Sequence, residues 1–148
     1  MTQMDIAFLH APTGLALTEN RIVVQCNLRF AEIFGAAIDS FSQMPLERLY
    51  PSLQDYEKVA HIGGDILRET GRYEDERVMR RLGGDLFWCR VRGTSLTPKD
   101  PFKQGVWSFA DLSSERPVVE LTRREREVAI LTCQGKTSKE IGLFLGLS

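Results

Sequence analysis

Cysteine is scarce and scattered, with Cys26, Cys89 and Cys133 the only three in a chain of 148 residues. An odd number without metal or redox spacing excludes a disulfide framework and a zinc or dithiol motif. Charge of one sign is lacking as well: 19 Lys and Arg against 20 Asp and Glu leave a net charge of −1. The chain as a whole therefore has no field that draws it to nucleic acid or a membrane. No apolar run approaches the roughly 20 residues that cross a bilayer. The N-terminus, "MTQMDIAFLHAPTG", has Asp5 at its front and no basic stretch leading an apolar one, unlike a secretory leader. The expected compartment is cytoplasmic. A phosphate-cradling glycine loop, a catalytic triad and a metal cluster are all missing, so a binding protein is expected rather than an enzyme, with no metal site and no resident cofactor.

What is present is an ordinary globular composition, 43% hydrophobic and 26% charged, long enough for one domain with a core and a small appendage. "MDIAFLHAP" reads as a short helix ended near Pro12. "GLALTENRIVVQCN" reads as two strands around the polar turn "TENR". Asn27 then caps a short helix with Phe30, Ile33 and Phe34 on one face and Gly35 at its stop. After a loop, "DYEKVAHIGGDILRETG" is a longer helix with a stripe of Tyr56, Val59, Ile62 and Ile66. Gly63 and Gly64 each weaken that helix by about 1 kcal/mol relative to alanine, so packing must hold it. "RYEDERVMRR" and "LFWCRVRGTSL" are two alternating strands joined at "LGGD", and "GVWSFADLS" is the last strand. The expected fold class is α+β, a five-stranded antiparallel sheet with helices on one face.

Residues 1–116 resemble a PAS sensor domain. The resemblance rests on "HAPTGLAL" entering the first strand, Asn27 with "FAEIFG" in the first core helix, "GRYEDERVMRRLGGDLFWCR" across the central hairpin, and "DLSSER" at the exit. "LGGD" stands where the family usually has a "KDG"-like turn. Residues 117–148 are a linker followed by a segment similar to the first half of a LuxR-type helix-turn-helix, on "LTRREREV", Gly135 and "KEIGLFLGLS". Arg123, Ala129 and Gly142 depart from that pattern. The segment from 121 to 148 carries +2, leaving −3 for the remainder. Arg123, Arg124, Lys136 and Lys139 are the residues placed to meet DNA phosphates, and the resemblance puts the base-reading helix after Ser148. Together the two resemblances imply the sensory portion of a one-component transcription regulator.

Strand alternation puts Phe87, Cys89 and Val91 on one face and Trp88, Arg90 and Arg92 on the other. The first set is expected to face the helices and to line a small-molecule cavity with Leu17, Val24, Phe30, Phe34, Tyr56 and Ile66; a core packed solid is the alternative. In that alternative the domain is a ligand-free dimerisation module. Trp88 and Trp107 are expected to leave the other face too apolar to stand bare, covered by the N-terminal helix or by a second copy in a homodimer. His61 occupies a helix where haem-binding relatives place an axial ligand, but no companion haem signature accompanies it. "QCNLR" does not match the photoreactive cysteine run of flavin-binding relatives. Neither "GGD" has the residues a nucleotide cyclase requires.

Base readout needs side chains in the major groove, whereas phosphate contact is blind to sequence and fades with salt. In fluorescence anisotropy near physiological salt, this chain should therefore show no preference for its natural promoter over a scrambled duplex. A measurable preference would refute the expectation.

Overall fold

The computed structural model describes residues 1–118, so the expected helix pair, and with it Arg123, Arg124, Lys136 and Lys139, lies outside the described residues. The chain opens with helix α1 (Gln3–Leu9), then strands β1 (Gly14–Glu19) and β2 (Ile22–Cys26). Helix α2 (Leu28–Phe34) and two 3-10 turns (Ile38–Phe41 and Leu46–Leu49) lead to helix α3 (Leu53–Thr70). Strands β3 (Arg72–Arg80), β4 (Leu86–Ser95) and β5 (Gln104–Asp111) close the fold. The five strands form one antiparallel sheet in the order β2-β1-β5-β4-β3. The last strand is thus inserted at the centre, beside the first, so the domain cannot close until the whole segment has been made.

Local chemistry explains each boundary. Asn20 and Arg21 both take positive φ (51° and 62°), the two-residue turn whose twist matches a hairpin. Gly35 and Gly71 end α2 and α3 in the left-handed conformation that a Cβ disfavours. Asn27 is fully buried and uses its whole amide. Its Oδ1 accepts from the backbone N–H groups of Leu15 (2.9 Å) and Phe30 (3.0 Å). Its Nδ2 donates to the carbonyls of Phe8 and Thr13, both at 3.0 Å. One side chain thereby caps α2, pins β1 and anchors the exposed helix α1.

The core lies between the inner sheet face and α2, α3 and the 3-10 turns. Phe30 packs edge-on to Phe41 and Phe109, and Phe34 to Phe87 and Phe109, with ring centroids 5.2–5.6 Å apart. The predicted α3 stripe is displaced toward bare backbone. Val59, Ile62, Gly63, Gly64 and Leu67 are buried, while Tyr56 and Ile66 are only half-buried. A Cβ on Gly63 would sit 3.6 Å from the Tyr73 ring and one on Gly64 would sit 3.3 Å from Phe102. Aromatic packing replaces the side chains those glycines lack.

Two expectations about the sheet faces are corrected. Trp107 is on the inner face, not the outer: it belongs to the main core, its Nε1 donates to Thr18 Oγ1 at 2.9 Å, and its ring fills the space over Gly93. A Cβ on Gly93 would meet that ring at 2.1 Å. Trp88 is on the outer face but is only 4% exposed, because the chain's own exit segment covers it. Leu112 and Val118 pack with Val78 against Trp88, and the Arg116 guanidinium lies 3.4 Å from the ring centroid. Helix α1 is elsewhere, flanking a groove along β2 beside Ile38 and Asp39.

Asn27→Ala would remove a helix cap and strip partners from two N–H groups and two carbonyls. Urea denaturation should show a loss of about 2–4 kcal/mol. A loss under about 0.5 kcal/mol would mean that Asn27 does not organise this corner.

Candidate functional site

Strand β3 reads Tyr73, Glu74, Asp75, Glu76, Arg77, Val78 and Met79, and period-two alternation sends Tyr73, Asp75, Arg77 and Met79 inward. Two opposite charges are thus carried into an apolar core. Asp75 is fully buried and Arg77 only 3% exposed. Ion pairing compensates them: Arg77 Nε donates to Asp75 Oδ1 at 2.7 Å, and the Tyr73 hydroxyl donates to Asp75 Oδ2 at 2.7 Å. Arg77 Nη1 donates to the Tyr50 hydroxyl oxygen at 2.6 Å, tying β3 to the second 3-10 turn. Burial alone would pull the Arg77 pKa down, but Asp75, Tyr50 and Tyr73 together raise it, and the guanidinium stays charged. Cys89 is buried beside this pair and its thiol is pushed up to about 12, mainly by burial, which makes it a poor nucleophile.

One polar atom is left over. Arg77 Nη2 is buried and has no hydrogen-bond partner. Arg77 lines a void of about 20 Å³, room for roughly one water. The void is walled by Tyr73 and Met79 from β3, Val91 from β4, Trp107 and Phe109 from β5, and Val59 and Gly63 from α3. Leu46, Tyr50, Arg21 and Phe102 complete it. An unspent buried donor costs about 1–3 kcal/mol, and its position against a mostly apolar void marks this as the candidate binding site.

Arg21 reaches the same void from the β1–β2 turn. Its guanidinium lies 3.6 Å from the Tyr56 ring centroid and 4.7 Å from that of Phe102. The left-handed backbone at Arg21 costs about 1–2 kcal/mol for a residue with a side chain, offset where its carbonyl accepts from Leu46 N–H at 3.0 Å. Burial is the main cause raising the Tyr56 pKa, with Arg21 acting against it.

Of the nine expected lining residues, Val91 alone is in the cavity wall. Phe30, Phe34, Phe87 and Cys89 are in the packed core, and Tyr56 and Ile66 lie half-buried at its margin. Leu17 and Val24 are corrections. Leu17 pairs with Val106 and points to the outer face, since its neighbours Ala16 and Thr18 point in. Val24 is the extra residue where the β1–β2 register shifts, and it is not part of the core. His61 is exposed on α3, away from the void. Among the described residues, no group of three or more His, Cys, Asp or Glu side chains is placed to hold a metal. Arg77 and Asp75 were not among the expected site residues; the hairpin register that sets Arg77 opposite the inward Cys89 is the signal that places both on the inner face. Arg21, from a turn, had no such signal.

No family model matches the chain. A solved PAS domain, from a transcriptional regulator of the LuxR family of Burkholderia thailandensis and in complex with ethanol, is 38% identical with a TM-score of 0.74. The match covers 76% of this chain and 99% of that one. The chain therefore belongs to the PAS domain family. VqmA of Vibrio cholerae, solved as a ligand and DNA complex, is 17% identical and shares the fold with a TM-score of 0.56, over 100% of this chain and 74% of that one. The sensor protein TdiS of Thauera aromatica is 28% identical over 115 residues, 78% of this chain, and this chain spans 21% of its length. Among the described residues, no helix is long and apolar enough to cross a membrane.

Arg77→Met would strand Asp75 in the core and should cost about 3–5 kcal/mol, whereas Asp75→Asn combined with Arg77→Met should recover most of it. Denaturation of Arg77→Met, Asp75→Asn and the double variant checks this. Additive losses would show that the two charges do not act as a pair.

Proposed function

We propose that this chain is the sensory portion of a cytoplasmic one-component transcription regulator. Its PAS domain takes up a small molecule in the void beneath β3 and biases an attached LuxR-type DNA-binding domain, which residues 117–148 begin. The observation that carries the reading is Arg77 Nη2, a buried donor with no partner, on a residue that lines that void. The 38% identity to a PAS domain solved with ethanol supports small-molecule uptake, and that protein's LuxR-family membership supports the attached domain. The task is binding, with the ligand's differential affinity setting the balance between two arrangements.

The coupling route is short. Glu76, the outward neighbour of Asp75 and Arg77, pairs with Arg116 (3.0 Å) and Arg90 (3.1 Å) on the other face. Arg116 stands immediately before the linker. A shift of β3 on its inner side thus acts on the residue that holds the exit segment on Trp88.

A second reading is favoured by the size of the void: with room for about one water, the domain is a ligand-free module that dimerises. Leu15, Leu17 and Val106 on the outer face, with Val106 37% exposed, are then the surface for a second copy. A dimer is compatible with both readings, and VqmA is itself described as a dimer.

Native mass spectrometry of freshly purified protein and thermal unfolding against a library of small organic molecules separate the two. A ligand at about 100 times its Kd should add about 2.7 kcal/mol, a rise of several degrees in Tm for a domain this size. No retained molecule and no stabilising compound would favour the dimer module. An intense visible band would instead indicate haem or flavin.

A further inference from the structure

The walls of the void are not electrically balanced. Arg77 is offset by Asp75 at 2.7 Å, but Arg21 has no carboxylate partner among the described residues, only the Tyr56 and Phe102 rings. Glu47, the acidic group near Tyr56, is exposed, and water screens it. The walls thus carry one half-buried guanidinium with no carboxylate partner among the described residues, together with one unspent buried donor. A cation is repelled, a neutral acceptor satisfies Nη2 but leaves Arg21 uncompensated, and a dianion leaves a buried negative charge of its own. A monoanion with a planar acceptor group answers both needs, because a guanidinium presents its N–H donors in the plane that a carboxylate matches.

The apolar walls add a shape. Tyr50, Tyr73, Phe102 and Trp107 offer flat rings, and Trp107 is locked over Gly93 by its bond to Thr18. Where α3 meets this wall it offers Val59 and the bare backbone of Gly63, which faces Tyr73, while the adjoining Gly64 faces Phe102. Phe102 is half-buried, at the margin of the core. With room for about one water, the void admits anything larger only if this wall opens.

We propose that the void is the recognition site for a small planar monocarboxylate, held through its carboxylate by Arg77 and Arg21 with its apolar body against Trp107. This rests on the sensory reading above and narrows it to one chemical class.

The chain has two tryptophans, Trp107 in the cavity wall and Trp88 on the opposite face under the exit segment. Their two indole N–H resonances, identified with Trp88→Phe, make an internal reporter and control in the full chain. Acetate and benzoate would be titrated beside acetamide, benzamide and ethanol. At least one carboxylate should move the Trp107 resonance saturably, with Kd about tenfold below that of its amide, while Trp88 stays still. Arg21→Gln should remove most of that advantage, read as the ratio of amide to carboxylate Kd within the same variant. If amides or ethanol move Trp107 as well as the carboxylates do, the monocarboxylate assignment is wrong and the sensory reading stands. If no probe moves Trp107, both fail. A carboxylate advantage that survives Arg21→Gln would also overturn the assignment, because the preference would then not come from the uncompensated charge.

Discussion

The ion pair of Arg77 with Asp75 is the constraint around which this domain is arranged. Two charges in the interior are tolerable only when paired and hydrogen-bonded, and the partners come from separate parts of the chain. Asp75 and Tyr73 share β3 with Arg77, whereas Tyr50 reaches in from the connection between α2 and α3. Satisfying the guanidinium therefore positions that connection over the sheet. The one group left unspent, Nη2, is where the interior remains polar and open.

Strand β3 joins two different surfaces through alternation alone. Its inward residues form the buried cluster, and its outward residues form a charged ladder, with Glu74 paired to Arg92 at 3.1 Å and Glu76 to Arg90 and Arg116. The exposed pair contributes little to stability. Glu76 differs in being partly sheltered and in holding the residue from which the chain leaves the domain. The outer face is divided accordingly: around Trp88 it is sealed by the exit segment, and around Leu15, Leu17 and Val106 no other described residue seals it.

Asn27 plays a comparable part at the other end of the sheet. Its four hydrogen bonds gather α1, β1 and α2 at one buried point. Arg81 does the same for the central hairpin, donating to the Ile33 carbonyl and pairing with Asp111 at 3.0 Å. In both cases a polar side chain fixes how elements meet while the phenylalanine cluster supplies the bulk of the burial. Such contacts make the packing unique.

The sequence by itself determined the elements, their order and the family. Hydrophobic period, the Asn27 cap, the Gly35 and Gly71 stops and the turn at Gly83–Gly84 are local signals, each acting within a few residues. The inward set Phe87, Cys89 and Val91 followed from period two for the same reason. Only tertiary structure decided which face Trp107 and Leu17 occupy. A one-residue shift in phase inverts every side chain of a strand, and the phase of β1 and β5 is set by their pairing with each other, about 90 residues apart. Tertiary structure also brought Arg21 from a turn and Tyr50 from a loop to Arg77, and laid the exit segment over Trp88. Those meetings depend on side-chain reach and on the closure of β5 between β1 and β4, and no local pattern carries either.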